Sequence, residues 1–470
     1  MFNLDDPLLY LTENDPFTHR MAMQGITITG GVGSGKTSGS GRTLLSAYMQ
    51  NGYGMCCLTV KPDETEFIET VAEEQGRSDD VIKIAPNEPW FYDFMEEEAK
   101  RGKGSETETI VSLFLSLVEI AQGSLKSKES YWLSALRQLL RNAVTTLLCA
   151  EETVTIENCY KLIIQAPTSL QMFRSKEFRE ESYCYYVLNK ASEKVDAAVE
   201  SGSTEIHHRD FDISFMYWSK EFPNLAEKTR SVIVSMFTTT ADVFLRGSLR
   251  TIFSEQKNKR PCPPSLAREK KILIVDMSVK IYESVGVISN SVYALLFTKE
   301  MERQTLQQTG TPAALYADEF THFLSGNDYL NVFLQTSRGA GVSVCLCTQS
   351  LNNLTTKYGE NGEAKAYNLL GLIGTHIAHN NTCVKTNNYF AEKVGYDWEY
   401  QHSSSINTGE DRDSITSGLQ EQRRYVLEPI RMTELLTGGA ENNLTCEAIA
   451  YNGRRWSNGE KYLNVYFQQS

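Results

Sequence analysis

The 470-residue sequence has no hydrophobic run long enough for a membrane-spanning helix, which needs about 18 consecutive apolar residues. Its first residues, Met1 to Arg20, are acidic and mixed, unlike a secretory signal peptide. Its ten cysteines follow no metal-binding spacing. Cys345 and Cys347 fall inside an apolar segment, so we expect small buried residues in a reducing compartment. These absences predict a cytoplasmic protein with no membrane span of its own.

The sequence also lacks the basic excess that is typical of nucleic-acid-binding domains. It has 46 lysines and arginines against 59 acidic residues, which gives a formal net charge of −13. A ring-shaped motor can concentrate a few cations in its pore while its outer surface stays acidic. The charge therefore permits DNA binding without supporting it.

One segment carries a specific chemical pattern. Residues Gly30–Thr37 read GGVGSGKT, which fits the phosphate-binding loop G-x-x-x-x-G-K-[ST]. The β-rich stretch Gly25–Thr29 precedes it, and a helical pattern follows it. In this context the loop's N–H groups and the helix dipole favour a bound phosphate. The predicted phosphate-binding residues are Gly30, Gly31, Val32, Gly33, Ser34, Gly35, Lys36 and Thr37.

The loop predicts ATP and Mg²⁺ as cofactors. Lys36 is expected to reach the β- and γ-phosphates, and Thr37 is expected to hold the magnesium ion. The predicted loop helix carries Gly39 and Gly41, each of which costs about 1 kcal/mol against alanine. Close packing or a late helix start would account for these two glycines.

The pattern of strands and helices predicts an α/β fold. Continuous apolar strands alternate with helices, which indicates a mostly parallel sheet covered on both faces. Helical periodicity without catalytic residues predicts an inserted all-α domain. After about Asp397 we expect a loop-rich stretch over Ser403–Gly418 and two short final strands. The predicted divisions are a nucleotide-binding part at 1–104, the helical insertion at 105–222, a second nucleotide-binding part at 223–400, and a segment packing on it at 401–470.

Two strands end in an acid that could order magnesium. Asp276 follows an apolar strand but has no second acid beside it, and it also fits a turn residue at a strand end. Asp318 is followed directly by Glu319. One carboxylate can then hold the metal and the next can face the attacking water. We therefore assign magnesium to Thr37 and Asp318, and the water to Glu319.

Two further residues complete the predicted catalytic set of Lys36, Asp318, Glu319, Arg338 and Gln349. Gln349 ends the next apolar strand, at the edge of a parallel sheet where ligands bind. It suits a γ-phosphate sensor, although a turn residue is the alternative. Arg338 precedes that strand. It is either an arginine finger for a neighbouring subunit or a solvated surface residue.

The order of these features resembles the type IV secretion coupling proteins, the TraG/TraD-like conjugative DNA-transfer ATPases. This family belongs to the RecA/FtsK-like P-loop class that also holds HerA. The resemblance covers about Gln24 to Phe467. The matching stretches are Gly30–Thr37, Val60–Pro62, Gly76–Ile82, Tyr131–Arg141, Ala317–Phe320, Ser337–Gly339, Thr348–Leu351 and Lys357–Gly359.

The resemblance implies a hexameric ring ATPase that translocates DNA, with the helical insertion at one end of the ring. It implies Arg338 as a trans-acting finger and Gln349 as the sensor. Implied partners are DNA, copies of the chain, and secretion-channel or relaxase-type proteins. The sequence departs from membrane-anchored members, because it begins about 25 residues before its P-loop strand and lacks a long acidic tail. Its expected location is cytoplasmic, either free or recruited to the inner face of the membrane.

Two alternatives remain open from the sequence. The first keeps the motor but changes the cargo to protein, which the acidic charge favours. The second is a nucleotide-gated binding module that switches assembly state without DNA translocation. Glu319 argues against the second alternative, because a binding-only site needs no acid to orient water.

Overall fold

The protein is described by a computed structural model over residues 2–102, 104–122, 130–202, 208–254, 257–324, 329–408 and 413–469. The strands are β1 Pro7–Thr12, β2 Asp15–Thr18, β3 Ile26–Thr29, β4 Gly54–Leu58, β5 Val81–Ile84, β6 Trp90–Phe91, β7 Arg260–Pro261, β8 Ile272–Val275, β9 Ala313–Ala317, β10 Val342–Thr348, β11 Thr375–His379, β12 Tyr396–Thr408, β13 Asp413–Tyr425, β14 Thr445–Tyr451 and β15 Leu463–Gln468.

Helices connect most of these strands. They are α1 His19–Ala22, α2 Arg42–Gln50, α3 Glu64–Glu74, α4 Phe94–Ala99, α5 Glu106–Gln122, α6 Ser130–Cys149, α7 Ile156–Ile164, α8 Leu170–Arg174, α9 Lys176–Glu181, α10 Tyr183–Ser201, α11 His208–Met216, α12 Phe222–Asn224, α13 Glu227–Phe244, α14 Gly247–Phe253, α15 Val279–Glu302, α16 Leu306–Thr309, α17 Tyr329–Ala340, α18 Leu351–Tyr358, α19 Gly362–Gly371, α20 Val384–Val394 and α21 Arg431–Glu434.

A nine-stranded sheet forms the centre of the molecule, in the order β15–β14–β11–β3–β10–β9–β4–β8–β5. The strands from β11 to β5 are parallel, whereas β14 and β15 run antiparallel at one edge. Strands β3, β4, β8 and β9 are buried along their whole length. Helices therefore cover both faces. The predicted α/β class with a mostly parallel sheet is confirmed.

Alternate residues of each strand enter two different cores. In β4, Met55 and Cys57 pack with residues of α2 and α3 on one face. Cys56 and Leu58 pack on the other face, with residues of α15 and the helical layer. Cys345 and Cys347 are fully buried and carry free thiols, as the sequence predicts.

The helical layer is inserted in the chain between β5 and β8. Its central helix α6 packs against α5, α10 and α11. Helix α13, which follows the predicted boundary at residue 222, also packs against α5, α6 and α7. Inside this layer the buried Trp218 indole donates a hydrogen bond to the Thr146 hydroxyl, at 3.1 Å between Nε1 and Oγ1. The domain limits themselves stay predictions.

Two hairpins lie outside the main sheet, and neither follows from the sequence patterns. Strands β1 and β2 pair near the N-terminus, and β12 pairs with β13 over 13 residues on each strand. The loop prediction for Ser403–Gly418 is therefore wrong where the structure describes it. The two strands pair there in antiparallel register despite the serine-rich composition; residues 409–412 lie outside the described part.

Across the described part of the chain, no single helix is long and apolar enough to cross a membrane. The bent pair α13 and α14 meets the length and composition limits together.

Candidate functional site

The phosphate-binding loop follows β3 at the carboxyl edge of the parallel sheet. Its backbone is fixed to both neighbouring strands. Gly30 N donates to Thr348 O at 3.3 Å beside β10, and Gly31 N donates to Asn380 O at 2.8 Å after β11. Gly35 has a φ of 85°, in the left-handed region that glycine adopts readily. The structure thus has the strand, loop and helix order that the phosphate-loop pattern requires.

The helix after the loop starts late, and its glycines are tightly packed. A π-helical segment, Lys36–Gly41, precedes α2. A Cβ atom on Gly39 would overlap Cys446 Sγ, and one on Gly41 would lie 2.7 Å from the Tyr316 hydroxyl oxygen. Both explanations offered for these glycines therefore apply, the late helix start and the close packing.

Five predicted side chains meet above the loop. Thr37 Oγ1 donates to Asp318 Oδ2 at 2.7 Å. Lys36 Nζ lies 2.9 Å from Glu319 Oε1, and the same oxygen accepts from Gln349 Nε2 at 3.0 Å. The strand ends bring these groups together, because β9 and β10 are parallel neighbours and β10 pairs with β3.

Glu319 is held in an unusual backbone conformation. Its φ of 48° and ψ of 43° lie in the left-handed region, where a non-glycine residue is uncommon. Its N–H donates to Asp318 Oδ1 at 2.9 Å. Strained residues of this kind cluster at functional sites. The turn directs both adjacent carboxylates toward the loop rather than to opposite sides of a strand.

Burial and charge act against each other in this cluster. Burial disfavours the charged form of Lys36, but the carboxylates of Asp318 and Glu319 outweigh it and raise the lysine pKa. Burial likewise opposes ionisation of Asp318, yet Lys36 and Lys61 lower the pKa of its carboxyl. Lys36 and Asp318 are therefore both charged at neutral pH.

Sequence reasoning missed two residues beside this cluster. Lys61 Nζ lies 3.4 Å from Asp318 Oδ2 and 3.4 Å from Glu64 Oε1. Glu64 is 5% exposed, and its Oε2 accepts from Val60 N at 2.6 Å. Burial, followed by the charge of Asp318, raises the pKa of Glu64 to about 7. The signal that could have found Lys61 is its position after β4, at the same sheet edge as the loop.

The other candidates lie elsewhere. Asp276 follows β8 and accepts a hydrogen bond from Thr65 Oγ1 at 2.7 Å, in keeping with a strand-end residue. Arg338 is exposed near the end of α17, just before β10 begins. The loop lies at the other end of β10, about 20 Å away at roughly 3.3 Å per residue. The structure therefore does not bring Arg338 to its own chain's site.

A cavity of about 230 Å³ lies over the loop. Its walls are Gly31–Ser38, Lys61, Glu319, Gln349 and Gln469. Gln469 is a third residue that sequence reasoning missed, because no local pattern marks it.

The donor set at the loop fits Mg²⁺. The Thr37 hydroxyl and the Asp318 carboxylate are the hard oxygen ligands that magnesium prefers. Among the described residues, no group of three histidine, cysteine or acidic side chains could hold a metal on its own. A magnesium ion here would take its remaining ligands from phosphate and water, as is usual for this ion.

Comparisons with known proteins agree with this architecture. The family model described as the TraM recognition site of TraD and TraG matches residues 312–436. This range contains Asp318, Glu319, Arg338 and Gln349. No curated protein sequence matches the chain.

Solved structures share the fold at low sequence identity. The unbound bacterial conjugative coupling protein TrwBdeltaN70 is 15% identical over 97% of this chain and 87% of its own, with a TM-score of 0.55. The plasmid coupling protein TrwB in complex with GDPNP is 14% identical over 100% and 91%, with a TM-score of 0.58. TrwB in complex with ADP and Mg²⁺ is 14% identical over 100% and 90%, with a TM-score of 0.53.

The predicted resemblance to the TraG/TraD-like conjugative coupling proteins is thus confirmed, by a family segment over residues 312–436 and by a fold shared along the chain.

Proposed function

We propose that this protein is an ATP-hydrolysing motor that assembles as a ring and moves DNA through a central channel. The observation that carries the hydrolase part is the Glu319 carboxylate. Its Oε1 is shared by Lys36 Nζ and Gln349 Nε2 above the phosphate loop. A site that only bound nucleotide would need no buried acid in that position.

The proposed reaction follows from these contacts. An incoming phosphate competes with Glu319 for Lys36, because the lysine's ammonium group is the strongest buried donor above the loop. Once Lys36 binds phosphate, the Glu319 carboxylate can accept a proton from water while the Gln349 amide orients it. Thr37 and Asp318 would hold Mg²⁺, which neutralises charge on the phosphate oxygens when bound. TrwB binds GDPNP, ADPNP, and ADP with Mg²⁺, which supports the same ligands here.

The proposal of a ring rests on Arg338. This arginine is exposed at the sheet edge opposite to the loop, so it cannot reach the phosphate of its own chain. In a head-to-tail ring that edge can face the next protomer's site. Arg338 would then stabilise the transferring phosphoryl group in trans. We propose six protomers and a DNA cargo from the resemblance to conjugative coupling proteins.

The direct test is steady-state ATPase activity of the purified chain, with and without single-stranded and double-stranded DNA at low salt. We expect turnover that DNA stimulates, and complete loss of turnover in Lys36→Ala. Light scattering with ATP should give a particle of about six times 53.0 kDa. If DNA neither binds the protein nor stimulates its ATP turnover, DNA translocation is excluded. The hydrolase function would still stand.

A protein-delivering motor is the second candidate, and the β12–β13 hairpin favours it. One face of the hairpin carries Tyr396, Trp398 and Tyr400, with Trp398 62% exposed and Tyr400 59% exposed. The Tyr396 ring stacks on Tyr425 at 4.4 Å between centroids. A two-stranded hairpin is marginal in water unless something covers it. The hairpin lies within the segment whose family model is named for TraM recognition, which supports docking of a relaxosome-type protein.

Variants of the β12–β13 hairpin can distinguish a DNA cargo from a protein cargo. Trp398→Ala combined with Tyr400→Ala removes exposed aromatic area, and Glu399→Ala combined with Gln401→Ala is the matched control on the opposite face. Protein delivery predicts that a relaxase–DNA complex stimulates turnover more than free DNA, and that only the aromatic double variant loses the difference. Equal stimulation in all variants would remove the hairpin from cargo recognition.

The third candidate is a nucleotide-gated assembly module. It predicts a ring that forms with ATP but hydrolyses it slowly or not at all. Single-turnover measurements on the assembled ring distinguish this candidate from a motor.

A further inference from the structure

Strands β14 and β15, which run antiparallel at the edge of the sheet, pack beneath the phosphate loop. Cys446, in β14, lies against Gly35, with its Sγ 3.7 Å from the Gly35 carbonyl oxygen. A Cβ atom on Gly35 would meet both Cys446 and Gln469. Gln469 directly follows β15 and lines the cavity over the loop. The loop is therefore in direct contact with residues more than 400 positions later in the chain.

Hydrogen bonds fix the direction of the Gln469 amide. Its Oε1 accepts from Gly439 N at 2.7 Å, and its backbone N donates to Leu444 O at 2.7 Å. Because a backbone N–H can only donate, the amide oxygen must face Gly439 and the NH₂ group must face the other way. Nε2 then lies 2.6 Å from Ser38 Oγ. An amide NH₂ carries two hydrogens, so a second donor is left for a ligand in the cavity.

The ends of the cavity can be assigned from the loop chemistry. Lys36, Glu319 and Gln349 mark the end of the terminal phosphate. The lysine of such loops reaches the β- and γ-phosphates, whereas the backbone N–H groups cradle the α- and β-phosphates. Ser38 and Gln469 line the same cavity and contact each other at 2.6 Å, so we place the α-phosphate beside this pair.

We propose that Gln469 is a nucleotide-binding residue whose side-chain N–H donates to an α-phosphate oxygen of the bound adenine nucleotide. This inference rests on the proposed nucleotide function and adds to the site a binding residue that directly follows β15. ADP and ATP both carry the α-phosphate, so the contact strengthens both complexes equally. Uniform binding of this kind lowers KM and Kd without raising kcat.

The test measures the Kd of ADP by calorimetry on the full chain. Gln469→Ala should weaken ADP binding about tenfold, the effect of one hydrogen bond to a charged group. It should raise the KM for ATP by a similar factor and leave kcat within about twofold.

Gln469→Glu separates the phosphate contact from the structural one. A carboxylate keeps the acceptor for Gly439 N, and the Ser38 hydroxyl can turn to donate to its second oxygen. The strand end stays tethered, but a negative charge now faces the phosphate. ADP binding should weaken more than in Gln469→Ala, and the loss should shrink as salt is raised.

Gln468→Ala is the matched control. The Gln468 side chain is exposed and bonds to Asn443 O and Thr445 Oγ1, away from the loop. Its ADP affinity should equal that of the unsubstituted chain. Unchanged affinity in both Gln469 variants, or equal losses in all three variants, would overturn the proposal. A chain that binds ADP without hydrolysing ATP would contradict the motor function alone, and the Kd comparison would still decide the role of Gln469.

Discussion

Replacing Glu319 with glutamine separates the hydrolytic and binding roles of the site. The variant keeps the size of the side chain and removes its negative charge. The Glu319 carboxylate is the only buried acid shared by Lys36 and Gln349 among the described residues. If it accepts the proton of the attacking water, kcat should fall about 100- to 10,000-fold, the usual contribution of a general base.

The same substitution should tighten ATP binding. Lys36 Nζ lies 2.9 Å from Glu319 Oε1, and at an effective dielectric constant of about 20 their attraction is about 6 kcal/mol. Phosphate must displace Glu319 from Lys36. Because Lys36 then pairs with phosphate in place of the carboxylate, only part of this attraction opposes ATP binding. A net relief of about 1–2 kcal/mol predicts ATP affinity about 5- to 30-fold higher.

Phosphate release and equilibrium ATP binding, measured on the same preparation, check both effects. Asp276→Asn is the matched control, since it neutralises an acid at the end of β8 that bonds to Thr65 outside the cavity. Asp276→Asn should change kcat and Kd by less than about threefold, because substitutions away from the site have small effects. Turnover above a tenth of the unsubstituted value in Glu319→Gln, or weaker ATP binding, would refute the assigned role of this acid.

Three further predictions concern stability and assembly. Burial raises the pKa of Glu64 to about 7 from an ordinary 4.5, so between these pH values the folded chain keeps a proton that the unfolded chain loses. The free energy of unfolding should therefore fall by about 3 kcal/mol as the pH rises from 4.5 to 7. In urea titrations, Glu64→Gln should lose this dependence of the unfolding free energy on pH. Gly39→Ala should cost about 1–3 kcal/mol in thermal unfolding because its methyl overlaps Cys446 Sγ, and adding Cys446→Ala should recover most of the loss. Arg338→Ala and Lys36→Ala should each be inactive. A one-to-one mixture should regain about a quarter of the turnover, because in mixed rings about a quarter of the interfaces combine an intact Lys36 with an intact Arg338 from the neighbouring protomer. No recovery of turnover in the mixture would contradict a trans-acting Arg338.

The residues that could be predicted from the sequence are those whose position follows from a local pattern. The loop lies between a strand and a helix, so Lys36 and Thr37 are placed by sequence alone. Asp318, Glu319 and Gln349 each follow an apolar strand, and the carboxyl ends of parallel strands meet at one edge.

The residues that could not be predicted depend on contacts between distant segments. Lys61 also follows a strand, but a lysine after a strand usually faces solvent, and only the finished sheet brings it to Asp318. Gln469 needs β14 and β15 to join the edge beside β11 in the antiparallel sense, which no periodicity reveals. The β12–β13 hairpin was concealed by its serines and glycine, which favour loops in isolation.

The strands that support the phosphate loop have a consequence for synthesis of the protein. The loop leaves the ribosome early, but its contact with Cys446 joins residues 411 positions apart. At about 5–20 residues per second, the nascent chain spends about 20–80 s with an unsupported loop. During that interval Gly35 and Gly39 lack the Cys446 side chain against which they pack, and the nucleotide cavity lacks one wall. Competence to bind nucleotide should therefore arise late and abruptly, so that ribosome-bound intermediates consume no ATP.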